Sequence, residues 1–226
     1  MGYYNERPSF LSNIPPATRA LLVINIIFYL ATVVADMRGT DVIYEYFAVF
    51  FPASPFFRPW QILTYMFVHG NFAHLFFNMW GLVMFGMALE RAIGTKKFLI
   101  LYFAAGIGAY LLHTGVQWAQ YAYYLSAGSD AATQAAMNLL RTPTLGASGA
   151  IYGIEVAFAV VYPNLMLTLL FPPVSLKAKW MILIFIGIEL LTGITGTMDG
   201  IAHFAHLGGA LVGFLLMLYW KKRNRW

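Results

Sequence analysis

Long apolar runs alternate with short polar, basic or proline-containing stretches along almost the whole chain. The runs cover Arg19 to Ala35, Ala73 to Leu89, Lys97 to Gly115, Ala147 to Pro163, Ala178 to Thr192 and Ile201 to Trp220. Several lie near the lower limit of about 17 residues for a helix crossing a hydrocarbon core, and the pattern predicts six membrane-spanning helices. Val33-Val34-Ala35 faintly matches a signal-peptide cleavage site. The polar lead-in before it and the later spans favour a retained first helix. Asp36 to Phe72 combines Tyr44, Tyr46, Phe47, Phe50, Phe51, Phe56, Phe57 and Trp60 with Pro52, Pro55 and Pro59. Proline forbids one long helix there, and aromatic rings suit the headgroup boundary, so an interfacial loop lying partly in the outer leaflet is expected. Val116 to Pro143 reads as a long loop holding a helix over Ala131 to Leu140. Pro172-Pro173 marks a turn, and a Gly/Thr-rich loop runs through Gly200. The expected organisation is a leader over 1–18, a six-span domain over 19–220 and a basic tail over 221–226. No internal repeat of the transporter kind is visible.

Composition supports this picture. Of 226 residues, 60% are hydrophobic and 10% charged, against about 25% charged in ordinary soluble domains. Cysteine is absent, which removes disulfides and thiolate chemistry. The net charge of +5 does not indicate nucleic acid, because the basic residues flank apolar spans. Six spans place all but Arg38, Arg58 and Arg141 of the 14 Lys and Arg residues on one side. That bias puts both termini in the cytoplasm. The expected location is a bacterial inner (plasma) membrane.

The candidate chemistry centres on Leu145-Gly146-Ala147-Ser148-Gly149-Ala150-Ile151-Tyr152-Gly153, which opens the fourth span. A serine there lies among helix N-terminal amides that have no intrahelical partner, a setting for a nucleophile with an oxyanion site. Gly149 and Gly153 also form G-x-x-x-G, a close-packing pattern of membrane helices, and taken alone the stretch needs no more than packing. Depth changes the balance. Spans two, four and six run in the same direction. Ser148 lies in the first turn of the fourth, His206 near the start of the sixth, and His74 and Asn78 in the first two turns of the second. At 1.5 Å per residue all four fall within about 10 Å of the outer boundary. Polar groups converging inside a membrane are costly and signal function. Gly209 and Gly213 repeat the small-residue pattern below His206, so the fourth and sixth spans are expected to meet through glycines.

These residues resemble the rhomboid family of intramembrane serine proteases. The resemblance covers roughly Trp60 to Gly213. It rests on Gly146-Ala147-Ser148-Gly149, on Ala205-His206-Leu207-Gly208-Gly209 with Gly213, on His74-Leu75-Phe76-Phe77-Asn78, and on Glu90-Arg91 with Gly94. It implies a Ser148–His206 dyad acting through an acyl-enzyme, with the oxyanion held by the Ser148 backbone amide, His74 and Asn78. It also implies Tyr152 packing on His206, no cofactor, and substrates that are membrane helices cut near their outer ends. The fifth span becomes the expected lateral gate, and the loop after it the cover over the dyad. Gln61 stands where the family usually has an arginine after Trp60, which bears on the loop or its lipid contacts.

Other polar residues have plainer readings. Glu155 and Glu189, with no obvious charged partner in the spans, are expected to be neutral or hydrogen-bonded packing residues, and His113 a satisfied polar group. No acid near His206 in sequence completes a triad; Asp199, seven residues upstream, falls in the loop. His69, His74, His203 and His206 lack the H-E-x-x-H signature, so no metal is expected. The expected partners are transmembrane protein substrates and the bilayer, without nucleic acid. Two alternatives compete: a non-catalytic rhomboid-like protein binding client helices, and a small-solute transporter. The intact Ser148 and His206 weigh against the first, and the apolar inner halves of spans two, four and six against the second.

Overall fold

A computed structural model describes residues 13–169, 173–195 and 202–223. The first twelve residues, Pro172, the loop through Gly200 with Asp199, and the last three tail residues lie outside the described residues. Among those described, five helical segments are long and apolar enough to cross a membrane: Pro16–Met37, Phe72–Ile93, Thr95–Ala127, Ala178–Thr195 and His203–Lys222. A sixth apolar helix, Ser148–Val161, has 14 residues. The first of the five is α1, Pro16–Met37, followed by the short α2, Val42–Phe47, and α3, Gln61–Thr64. The second segment is α4, Phe72–Gly81, joined to α5, Met87–Ile93, by a π-helical turn over Leu82–Gly86. Then come α6, Thr95–Ala127, α7, Asp130–Arg141, α8, Ser148–Val161, α9, Ala178–Thr195, and α10, Ala202–Lys222.

The six apolar runs all become helices, and three features differ from the sequence expectation. The third helix does not end near Gly115 but continues to Ala127. No proline follows Gly115 until Pro143, and the polar and aromatic residues after Val116 tolerate a helix. Termination comes from Gly128, which takes left-handed backbone at φ 62°, where glycine carries no Cβ penalty. Ser129 then caps α7 by accepting from the Ala132 amide at 3.2 Å. The chain is also not wholly helical: β1, Met166–Thr168, pairs antiparallel with β2, Ser175–Lys177, a hairpin linking α8 to α9. Finally, α8 is shorter than its apolar run, ending at Val161 just before Pro163.

Packing explains why the shortest apolar helix is the most enclosed. Nine of its residues, among them Gly149, Ala150, Ile151, Gly153 and Ile154, are buried; a helix apolar on all sides belongs in a core. It packs against α6 and α10 through glycines. A Cβ on Gly209 would overlap the Gly149 carbonyl oxygen, and one on Gly213 would overlap the Gly153 carbonyl oxygen. Gly208 faces the Gly108 carbonyl in the same way. By contrast α1 and α9 expose Ile27, Leu30, Leu183, Leu191 and Ile194 outward, as lipid-facing helices do.

Two polar devices hold the periphery. The start of α1 has no side-chain cap of its own. Glu90 supplies one: Oε1 accepts from the Ala17 amide at 2.9 Å and Thr95 Oγ1 at 2.8 Å, and Oε2 from the Thr18 amide at 2.7 Å and Thr18 Oγ1 at 2.8 Å. Leaving a buried donor unsatisfied costs about 1–3 kcal/mol. Glu90→Ala strands four, so a loss of at least about 3 kcal/mol is expected, seen as a lower unfolding temperature in detergent; an unchanged temperature would refute the role. In the loop after α1, Gln61 is fully buried. Its Nε2 donates to the Glu45 carbonyl at 2.9 Å, and its Oε1 accepts from the Arg58 amide at 2.8 Å. Gln61 therefore ties the loop together from inside. Trp60 Nε1 donates to the Tyr46 carbonyl at 2.8 Å.

Candidate active site

The serine reaches its place through a turn that only glycine takes easily. Gly146 has φ +120°, and its amide donates to the Tyr65 carbonyl at 2.9 Å. Two residues on, Ser148 opens α8. Upstream, Thr144 Oγ1 lies 2.8 Å from His113 Nε2, joining α6 to the same loop. From α10, His206 Nε2 lies 2.8 Å from Ser148 Oγ, a hydrogen-bond distance between residues 58 apart in sequence. The Tyr152 ring, one turn along α8, stacks on the His206 imidazole with centroids 4.5 Å apart and an interplanar angle of 5°. The glycine contacts of α8 with α10 bring the two side chains into this register.

The second apolar segment contributes from the other side. Asn71 caps α4 by accepting from the His74 amide at 2.8 Å. His74 rests on the serine loop: a Cβ at Gly146 would sit 2.7 Å from His74 Nε2 and 3.8 Å from Ser148 Oγ. Asn78 is buried, and its amide donates to the His74 carbonyl at 2.9 Å; the second N–H of that amide remains for another acceptor. His74, Asn78, Ser148, Tyr152, Glu155 and His206 line one cavity of about 310 Å³. Behind His74, the His69 ring is fully buried, with centroids 4.9 Å apart. His69 lies in the loop before α4. Burial, reinforced by neighbouring His74, lowers its pKa to about 4, so it is neutral at ordinary pH.

The two membrane glutamates were expected to be neutral or hydrogen-bonded packing residues with no obvious charged partner in the spans; Glu189 is hydrogen-bonded, and it does have partners, beside Ser148 and His206. Glu189 Oε1 accepts from Tyr152 Oη at 2.5 Å, and Oε2 lies 2.5 Å from His203 Nδ1 and 3.1 Å from His206 Nδ1. The missing partners are histidines, neutral by convention in a charge count, on a different helix. Glu155 lines the cavity instead, its carboxylate oxygen 3.5 Å from where a Cβ on Gly81 would lie. The histidines likewise regroup. Among the described residues, the set whose ligand atoms approach within 4.8 Å is Glu189, His203 and His206, without His69 or His74. A costly carboxylate inside an apolar helix is the sequence signal that singles out Glu189, without showing which groups it meets.

The fold and site together define an integral, multi-pass helical membrane protein with a serine and a histidine paired among its packed helices. The Rhomboid domain family model matches residues 57–223, and the chain belongs to the rhomboid family. It is 33% identical over 161 residues to "Rhomboid protease AarA" of Providencia stuartii, covering 70% of this chain and 55% of that protein. It is 29% identical over 217 residues to "Rhomboid-like protease 1" of Toxoplasma gondii, covering 91% of this chain and 64% of the relative. It is also 32% identical over 154 residues to "RHOMBOID-like protein 12, mitochondrial" of Arabidopsis thaliana, covering 67% of this chain and 43% of the relative. The chain thus spans less than two thirds of the length of each of these relatives.

Proposed function

We propose that this protein is an intramembrane serine endopeptidase. The observation that carries the reading is the 2.8 Å approach of His206 Nε2 to Ser148 Oγ in a chain of the rhomboid family. His206 takes the proton of Ser148 as the hydroxyl oxygen attacks a substrate carbonyl carbon. The resulting oxyanion is held by the Ser148 backbone amide, His74 and Asn78. His206 then gives its proton to the departing amine, leaving an acyl-enzyme that water hydrolyses. No cofactor enters this scheme. Gly146, Gly149, Gly209, Gly213 and Tyr152 serve as supports, keeping the reacting pair in register.

Six spans over 19–220, between a leader and a basic tail, with both termini cytoplasmic, complete the proposal. A 14-residue helix extends about 21 Å, less than the roughly 30 Å hydrocarbon core, so α8 has at least one end inside the membrane. With the outer end recessed, Ser148 faces the upper part of a substrate helix, and the expected substrates are transmembrane segments cut near their outer ends. The test is reconstitution with a single-span substrate in proteoliposomes and mass measurement of the products. A cut near the outer end of the substrate helix supports the proposal; an uncut substrate, or cuts only in soluble flanks, refutes it.

Asn78→Ala should slow turnover by about 10²–10³, the loss on removing one oxyanion donor. The steady-state kcat decides it, and a wild-type value would remove Asn78 from the site.

A further inference from the structure

We infer that Glu189 is a positioning residue for His206, so that the reacting pair works as part of an acid–histidine–serine row drawn from three helices. The inference rests on the proposed serine-protease reading. Along that row, the Glu189 carboxylate on α9 lies 3.1 Å from His206 Nδ1, and Nε2 of the same ring lies 2.8 Å from Ser148 Oγ on α8. Among the described residues Nδ1 makes no well-aligned hydrogen bond, and the Glu189 oxygen 3.1 Å away is the charged partner it meets.

The carboxylate is itself held in place. Tyr152 donates to Oε1, and His203, one turn before His206 on α10, contacts Oε2, each at 2.5 Å. Tyr152 also covers the face of the His206 ring. One tyrosine therefore fixes both the acid and the imidazole that the acid serves. The His203 and His206 rings meet edge-on, with centroids 6.4 Å apart. Among the described residues, the titratable groups around His206 are His74 from α4, Tyr152 and Glu155 from α8, Glu189 from α9 and His203 from its own helix.

The chemistry follows from which nitrogen carries the proton. A carboxylate facing Nδ1 favours the proton there, leaving the Nε2 lone pair directed at the serine hydroxyl. When Nε2 takes the serine proton, the imidazolium gains a fixed negative neighbour; the Nδ1 proton stays where it is, as in other triads. No covalent bond to Glu189 forms or breaks. Helix α9 has few buried residues, so packing gives a weak reason to place a carboxylate there, and its histidine contacts give a strong one.

The test uses the full chain in detergent, comparing wild type with Glu189→Gln and Glu189→Ala. Two rates are measured: kcat and KM on a single-span substrate, and phosphonylation of Ser148 by a small fluorophosphonate, which bypasses substrate-helix docking. The expected result for Glu189→Ala is kcat lower by about 10²–10⁴, the scale seen when a triad acid is replaced, with KM within about twofold and phosphonylation slowed by a similar factor. Glu189→Gln, which keeps the size of the side chain, should lose at least about tenfold in both rates and decides the matter if the alanine variant does not fold. Phosphonylation at the wild-type rate in Glu189→Gln overturns the inference, whether cleavage is unchanged or impaired, since a tether for α9 would affect only substrate docking. A wild-type rate that changes on adding a chelator would make Glu189 a metal ligand and overturn it as well. Failure of the wild type to react at Ser148 would instead refute the protease reading.

Discussion

Ser148→Ala is expected to abolish proteolysis while leaving a folded, membrane-inserted protein. Removing the nucleophile of a serine protease costs about 10⁶ in kcat. The structural cost is small. Ser148 is the first residue of α8, and its hydroxyl faces His206 in the cavity instead of filling the helix contacts, which Gly149 and Gly153 make. The paired measurement is cleavage of a transmembrane substrate and thermal unfolding of the same preparation. Activity should fall below detection with the unfolding temperature nearly unchanged. Retained cleavage would remove Ser148 from the chemistry, and a collapsed unfolding temperature would show that its role is packing.

The second large effect is expected from Gly209→Val, which touches neither reacting group. A Cβ at Gly209 would overlap the Gly149 carbonyl oxygen, and the atom overlapped is backbone that cannot rotate away. Helices α8 and α10 must therefore separate. Overpacking costs about 1–3 kcal/mol, and a misplacement near 1 Å costs about 10²-fold in rate. Here the displaced helices are the two carrying Ser148 and His206, so activity should fall at least about 10²-fold, together with a lower unfolding temperature. Leu215→Val on the same helix is the control, because Leu215 is 52% exposed, and it should change little. Wild-type activity and stability in Gly209→Val would mean that the glycine contact does not set the spacing of the pair.

What the sequence made legible follows from where the information lies. Apolar runs report burial in lipid or protein directly, and each became a helix. Helix ends were harder. Hydropathy stops at Gly115, whereas the backbone stops at Gly128, where a left-handed conformation breaks the hydrogen-bond ladder. The Met166–Thr168 and Ser175–Lys177 hairpin has three-residue strands, too short to show an alternating pattern. For the candidate site, His74, Asn78, Ser148 and His206 could be placed together by depth, since all lie near helix ends on the same side. Glu189 could not. Its partners Tyr152 and His203 are 37 and 14 residues away in sequence, and depth alone does not say which way a side chain turns. Gln61 illustrates the same limit: the departure from the family pattern was visible, but not that its carboxamide would bond to the loop backbone around it.

The most direct test of the central claim is covalent capture of the nucleophile. The full chain, solubilised in mild detergent, is treated with a fluorophosphonate, digested and mapped by mass spectrometry. A single adduct on Ser148, lost in His206→Ala because the hydroxyl is no longer activated, is the predicted result. No adduct, an adduct on another serine, or one on Ser148 that forms equally fast without His206 would contradict the account.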